Sequence, residues 1–284
     1  MRTPVISHLK NTVRKSDTHY RQMTSQMRLL PDFAVIGAQK CGTTSLYRLV
    51  TQHPCVKRAA RKEVHYFDMN FKRGVNWYRA QFPLLAYKHY AKRVRKLDII
   101  TGEASPYYLF HPHVPKRMAA LIPQAKLIVL LRNPVERTYS HYHHELRRNI
   151  ETLSFEDAIA IEEERLKDEI DKLLNDETYY SFKHQHFSYL SRGIYVDQLK
   201  AFEKYFDREQ ILILKSEDFF SNTSQMVERV FEFLNLPEWR PKELESFNTG
   251  SYSKITPQMR TYLSDYFAPH NQRLYEYLGV DFGW

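Results

Sequence analysis

A chain of 284 residues suffices for one large α/β domain, and 43% hydrophobic with 14% aromatic content supplies a packed core rather than a disordered chain. A net charge of +9, from 42 Lys and Arg against 33 acids, points to an anionic ligand: a nucleotide, a nucleic acid or an acidic polymer. Scattered basic residues without a recognition-helix or zinc pattern count against nucleic acid, and no run of ~18 apolar residues is present to span a membrane.

Residues 1–30 form a basic N-terminal extension, with Arg2, Lys10, Arg14, Lys15, Arg21 and Arg28 against the single acid Asp17. They lack the apolar h-region of a secretory signal. Residues 31–284 read as one domain. Cys41 and Cys55 make neither a disulfide framework nor a metal set, so a reducing, cytoplasmic compartment is expected.

The domain opens with Phe33-Ala34-Val35-Ile36, an apolar run that reads as a buried strand. The tight loop Gly37 to Gly42 follows, and Thr43-Thr44-Ser45 starts a helix that ends before Pro54. Strand, loop and hydroxyl-rich helix start make an anion cradle, because backbone N–H groups and the helix dipole converge there. Val56 begins a short second strand, Gly74–Phe82 a brief helix, Ile99–Glu103 a third strand and Val114–Ile122 a helix stopped by Pro123. Lys126–Leu131 is the strongest strand, and its unbroken apolar run fits a parallel strand covered on both faces. A helix over Val135–Arg148 follows Arg132-Asn133-Pro134. Ser154 then caps a charged helix through Leu174, whose acids read as a solvated surface. Helix Ser191–Phe206, strand Gln210–Leu214, helix Ser221–Leu234 and helix Thr256–Tyr277 complete the chain. Alternating strands and helices predict a P-loop-like, three-layer α/β fold: a central parallel sheet with helices on both faces and ligands at the carboxyl ends of the strands. Gly37, Glu103, Arg132 and Lys215 fall at those ends.

The opening loop nearly spells the ATP-binding signature. Gly37 and Gly42 keep its spacing, but Thr43 stands where the lysine belongs, and the strand Leu127–Leu131 ends in Arg132 rather than a magnesium-binding acid. The loop therefore suits a phosphate-like group aided by Lys40 and not by magnesium, so no metal requirement is expected. Arg132, leaving a strand, and Ser140, about two turns into the next helix, could hold a second anion. A capping arginine, or one paired with Glu136, is the competing reading.

These segments resemble the phosphosulfate loop and the nucleotide 3′-phosphate motif of sulfotransferases that use phosphoadenosine phosphosulfate (PAPS). Lys62-Glu63-Val64-His65-Tyr66-Phe67-Asp68 is similar to a stretch of the heparan sulfate branch. The resemblance runs from Pro31 to Trp284. It implies a PAPS-dependent sulfotransferase acting on a hydroxyl or amine, on a saccharide by analogy with that branch, leaving adenosine 3′,5′-bisphosphate. It implies Glu63 as general base and Lys40 as the cation near the bridging oxygen. Cys41, Gly42, Thr43, Thr44 and Ser45 would bind the phosphosulfate, and Arg132 and Ser140 the 3′-phosphate. His65 either orients Glu63 or the acceptor, or is a buried structural histidine. Lys62 and Glu63 alone would read as a surface ion pair. Asn248 to Lys254 resembles a loop that closes on the nucleotide, with Tyr252 and Lys254 as candidates, although Thr249 replaces the relatives' lysine. Some relatives also place a lysine in the segment that here reads Glu103-Ala104-Ser105. Two rival functions remain: a P-loop small-molecule kinase, opposed by the missing lysine, and a non-catalytic binder of anionic polymers, consistent with the charge.

Overall fold

The computed structural model describes residues 17–241 and 253–284. Its centre is a five-stranded sheet in the order β2-β3-β1-β4-β5, parallel throughout. The strands are β1 (Phe33–Gly37), β2 (Val56–Arg58), β3 (Ile100–Ala104), β4 (Lys126–Leu131) and β5 (Ile211–Lys215). All five expected strands are present, and every β1 residue is buried. Burial on both faces explains why β1 and β4 read as continuous apolar runs. The expected helices after β1 and β4 are Thr43–Val50 and Pro134–Arg147, the second capped by the Asn133 side chain accepting from Val135 N at 2.9 Å.

Between Pro134–Arg147 and β5 the chain departs from expectation. The charged helix after Ser154 is three short helices, Phe155–Ala160, Glu162–Leu166 and Glu169–Asn175, with Asp168 in the left-handed region at φ 61° breaking the last junction. Nor are its acids uniformly solvated. Glu162 is buried and accepts from Leu190 N at 2.6 Å and from Ser191 N and Oγ at 2.9 Å. Glu169 is buried and accepts from Tyr179 and Ser181. Glu162 satisfies backbone and hydroxyl donors, and Glu169 hydroxyl donors, of loops that lack strand partners, a long-range role invisible to helical periodicity. Ile170 is exposed.

The helix expected over Ser191–Phe206 is a 3-10 turn, Ser191–Gly193, then Tyr195–Glu203. The one expected over Ser221–Leu234 is two helices, Ser216–Ser221 and Thr223–Phe233. Helices Leu85–Tyr90 and Phe182–His186 were not anticipated. The last helix, Pro257–Leu278, runs close to its expected bounds and accommodates Pro269. Within the basic extension, Arg28 is buried and donates to Phe82 O at 2.8 Å.

Replacing Glu162 with Ala removes the acceptor of three donors and should cost about 1–3 kcal/mol in urea unfolding, whereas Glu163→Ala, on the exposed side, should stay within about 0.5 kcal/mol. Equal effects would contradict the internal capping role.

Candidate active site

The carboxyl ends of β1, β3, β4 and β5 face one cavity of about 1210 Å³. Lys40, Gly42, Thr43, Thr44 and Ser45 line it from the first loop, Lys62 and Glu63 from the segment after β2, and Arg132 and Ser140 from the β4 end. Most of the predicted residues are thus brought together. Cys41 belongs to the loop but turns inward, fully buried, its thiol 4.0 Å from Tyr195 Oη and its carbonyl accepting from Ser216. Lys215 donates to Phe282 O at 2.7 Å and does not line the cavity. Lys254 is exposed and also does not line it, while Tyr252 lies outside the described residues.

Local backbone shape fixes the first loop. Gly42 sits at φ 94°, where a side chain is strained, and an added Cβ would lie 2.9 Å from Phe220. Tyr47, one turn into the helix, donates to Gly102 O at 2.9 Å and accepts from Ala59 N at 3.0 Å, tying the helix to β3 and to the segment that carries Glu63. Burial, reinforced by Arg147 and Arg132, pushes the Lys40 ammonium down to about 8. Positive charge is therefore concentrated here beyond what the local acids neutralise.

The Glu63 segment is held from below. Glu103, at the end of β3 and fully buried, accepts from Tyr78 at 2.7 Å, Ser105 at 2.7 Å and Tyr108 at 3.1 Å. Ser105 Oγ in turn accepts from His65 N at 3.1 Å, and Tyr108 Oη from Tyr66 N at 2.8 Å. Burial raises the Glu103 carboxyl to about 7 against the pull of those hydroxyls. His65 takes φ 53° and lies between two carboxylates, with Nδ1 2.8 Å from Asp68 and Nε2 3.4 Å from Glu63. Burial would lower its pKa, but the bonds to Asp68 and Glu63 outweigh it and raise the ring to about 10. Reciprocally, His65 first and Lys62 next hold Glu63 down to about 2, against its partial burial. Lys62 Nζ reaches Glu63 Oε1 at 2.8 Å and Thr44 Oγ1 at 2.5 Å. Glu63 therefore stands as a carboxylate, open to the cavity, with an imidazolium and an ammonium beside it.

Arg132 stands at the cavity wall and beside Glu136. It donates to Lys40 O at 3.4 Å and lies 3.8 Å from Glu136, which Arg260 also pairs at 2.7 Å. Further lining residues escaped sequence reasoning, among them His144, Arg147, Glu217 and Phe220. The signal for His144 and Arg147 was present. Ser140, His144 and Arg147 follow an i, i+4, i+7 spacing that puts them on one helix face. Glu217 carried none; it accepts from Asn133 N at 2.9 Å across the sheet. Among the described residues, no group of three His, Cys, Asp or Glu side chains is placed to hold a metal. None of the described helices is long and apolar enough to cross a membrane.

The raised His65 contributes stability below about pH 6.5, the usual imidazole value, and loses it as pH rises through about 10. Ring NMR should show His65 protonated well above pH 7, and Asp68→Asn should bring it toward about 6.5. A wild-type midpoint already near that value would contradict the pairing.

The chain is 29% identical to the membrane-associated sulfotransferase kil1 of Dictyostelium discoideum, across 90% of this chain and 66% of that one. It is 28% identical to human heparan sulfate glucosamine 3-O-sulfotransferase 6, across 90% and 74%. It spans only 30% of the Caenorhabditis elegans bifunctional heparan sulfate N-deacetylase/N-sulfotransferase 1, at 26% identity. The crystal structure of a sulfotransferase from Alicyclobacillus acidocaldarius superposes with a TM-score of 0.68 at 32% identity, covering 89% of this chain and 97% of the other. The sulfotransferase domain itself matches residues 30–268, so the chain belongs to the sulfotransferase family and is an enzyme.

Proposed function

We propose that the protein transfers the sulfuryl group of PAPS to a hydroxyl or amine of a saccharide, with Glu63 as general base. The observation that carries this reading is an ionised Glu63 open to the same cavity as Lys40 and the Gly42–Ser45 helix start. The saccharide class rests on relatives named for heparan sulfate. Two buried, unpaired thiols, Cys41 and Cys55, suit a reducing compartment such as the cytoplasm.

The residues present fit the donor. Gly42 to Ser45 offer N–H and hydroxyl donors at a helix start, with Lys40 beside them, for the phosphosulfate. Arg132, Ser140 and Arg147 offer separate donors for a second phosphate, and a cavity of about 1210 Å³ accommodates both nucleotide and acceptor groups. As the acceptor oxygen or nitrogen bonds to sulfur, the bond from sulfur to the bridging phosphate oxygen breaks and Glu63 takes the acceptor's proton. A depressed pKa is compatible with this role, because the attacking atom becomes strongly acidic only once its bond to sulfur forms. Lys40 and Lys62 counter the negative charge that grows on the departing phosphate and the sulfuryl oxygens.

Glu63→Gln should leave adenosine bisphosphate affinity within about twofold and lower turnover ~10²- to 10⁴-fold; undiminished turnover would remove Glu63 as the base. Calorimetry without magnesium should show Arg132→Ala weakening adenosine 3′,5′-bisphosphate far more than adenosine 5′-phosphate. Equal losses would displace the second phosphate from that arginine. Since Lys40 sheds its proton near pH 8 in the free protein, bisphosphate affinity should fall as pH rises through 8, and Lys40→Arg should flatten the profile.

A further inference from the structure

The opposite end of the sheet carries a basic and apolar surface that the reaction does not use. The Leu85–Tyr90 helix continues as a π-helical turn, Ala91–Arg95. Ala91 is fully buried and anchors the run from below. Lys88 Nζ lies 3.9 Å from Asp32, the residue before β1, and Lys96 leads toward β3. Because the strands are parallel, this is their amino end, about 16 Å from the cavity at ~3.3 Å per strand residue.

On the outward side, Leu85 is 43% exposed, Tyr90 50% and Val94 62%, with Tyr90 and Val94 one turn apart. An antiparallel bridge between Arg28 and Leu84 sets Met27, itself 62% exposed, beside Leu85. Residues 88–96 hold five cations and no acid. Lys92 pairs with Asp98 at 3.3 Å, but Arg93, Arg95 and Lys96 have no ion-pair partner among the described residues. Single exposed apolar residues are ordinary. Several of them set among unneutralised cations on one helical run are what an interfacial helix presents to acidic headgroups. A sulfated polymer would match the charge but would gain nothing from Met27, Leu85 and Val94.

We propose that this end of the molecule docks on an anionic lipid bilayer. Met27, Leu85, Tyr90 and Val94 seat at headgroup level, and Arg93, Arg95 and Lys96 face acidic lipids. The cavity then opens away from the lipid, so that docking leaves it accessible from the aqueous side.

Vesicle co-sedimentation of the full chain tests this, with phosphatidylcholine alone and with added phosphatidylserine. The protein should pellet with the acidic vesicles and be released by salt. Replacing Arg93, Arg95 and Lys96 together with Ala should weaken binding ~100-fold, about fivefold for each cation. Leu85→Ser with Val94→Ser should weaken it too, and both variants should keep wild-type affinity for adenosine 3′,5′-bisphosphate. Three results would overturn the proposal: no pelleting with either vesicle, unchanged binding in the triple variant, or equal binding to neutral lipid. Retention on immobilised heparin, with binding indifferent to the apolar pair, would assign the surface to a polyanion instead.

Discussion

Lys62 joins the two halves of the site. Its ammonium touches Thr44, at the start of the helix that would cradle the donor, and Glu63, the carboxylate that would take the proton. The sheet alone does not set that distance, because the Glu63 segment follows the short β2 strand at one edge. It is fixed instead by a chain of hydrogen bonds from Glu103 through Ser105 and Tyr108 to the backbone of His65 and Tyr66. A fully buried carboxyl thus positions an exposed one. Its burial is tolerated because three hydroxyls satisfy it.

Charge at the cavity follows the same economy of place. Burial, reinforced by the crowding of Arg147 and Arg132, depresses the Lys40 ammonium. Glu136 provides partial compensation near Arg132, and it is shared with Arg260 of the last helix. An incoming dianion would compete with Glu136 for Arg132, exchanging one carboxylate partner for a more highly charged one. A second run of cations, Lys88 to Lys96, lies at the amino end of the sheet, so these two basic regions are separated by the length of the strands.

Much of this was legible in the chain because it is local. A buried strand, a glycine in a left-handed turn and hydroxyls at a helix start lie within Phe33 to Ser45, and Arg132 with Ser140 lies on one strand–helix junction. Spacing along one helix would also have yielded His144 and Arg147. What escaped depends on contacts between distant segments. Glu162 reads as one surface acid among several, yet it caps a loop 28 residues away. Asp68 looked like the end of a motif, and only the fold shows that it holds the other nitrogen of His65. Glu103 stood where a cation was sought, and its role needs Tyr78 from a separate helix. Periodicity reports which face of an element is apolar; it does not report which polar group a remote loop will need.

The central claim is sulfuryl transfer, and one measurement addresses it most directly. The protein, with chelator present, is incubated with radiosulfur-labelled PAPS and a panel of glycans, and label is followed into the acceptor. The account predicts transfer to a saccharide that is indifferent to chelation. No transfer to any glycan, with magnesium-dependent consumption of ATP in its place, would contradict it.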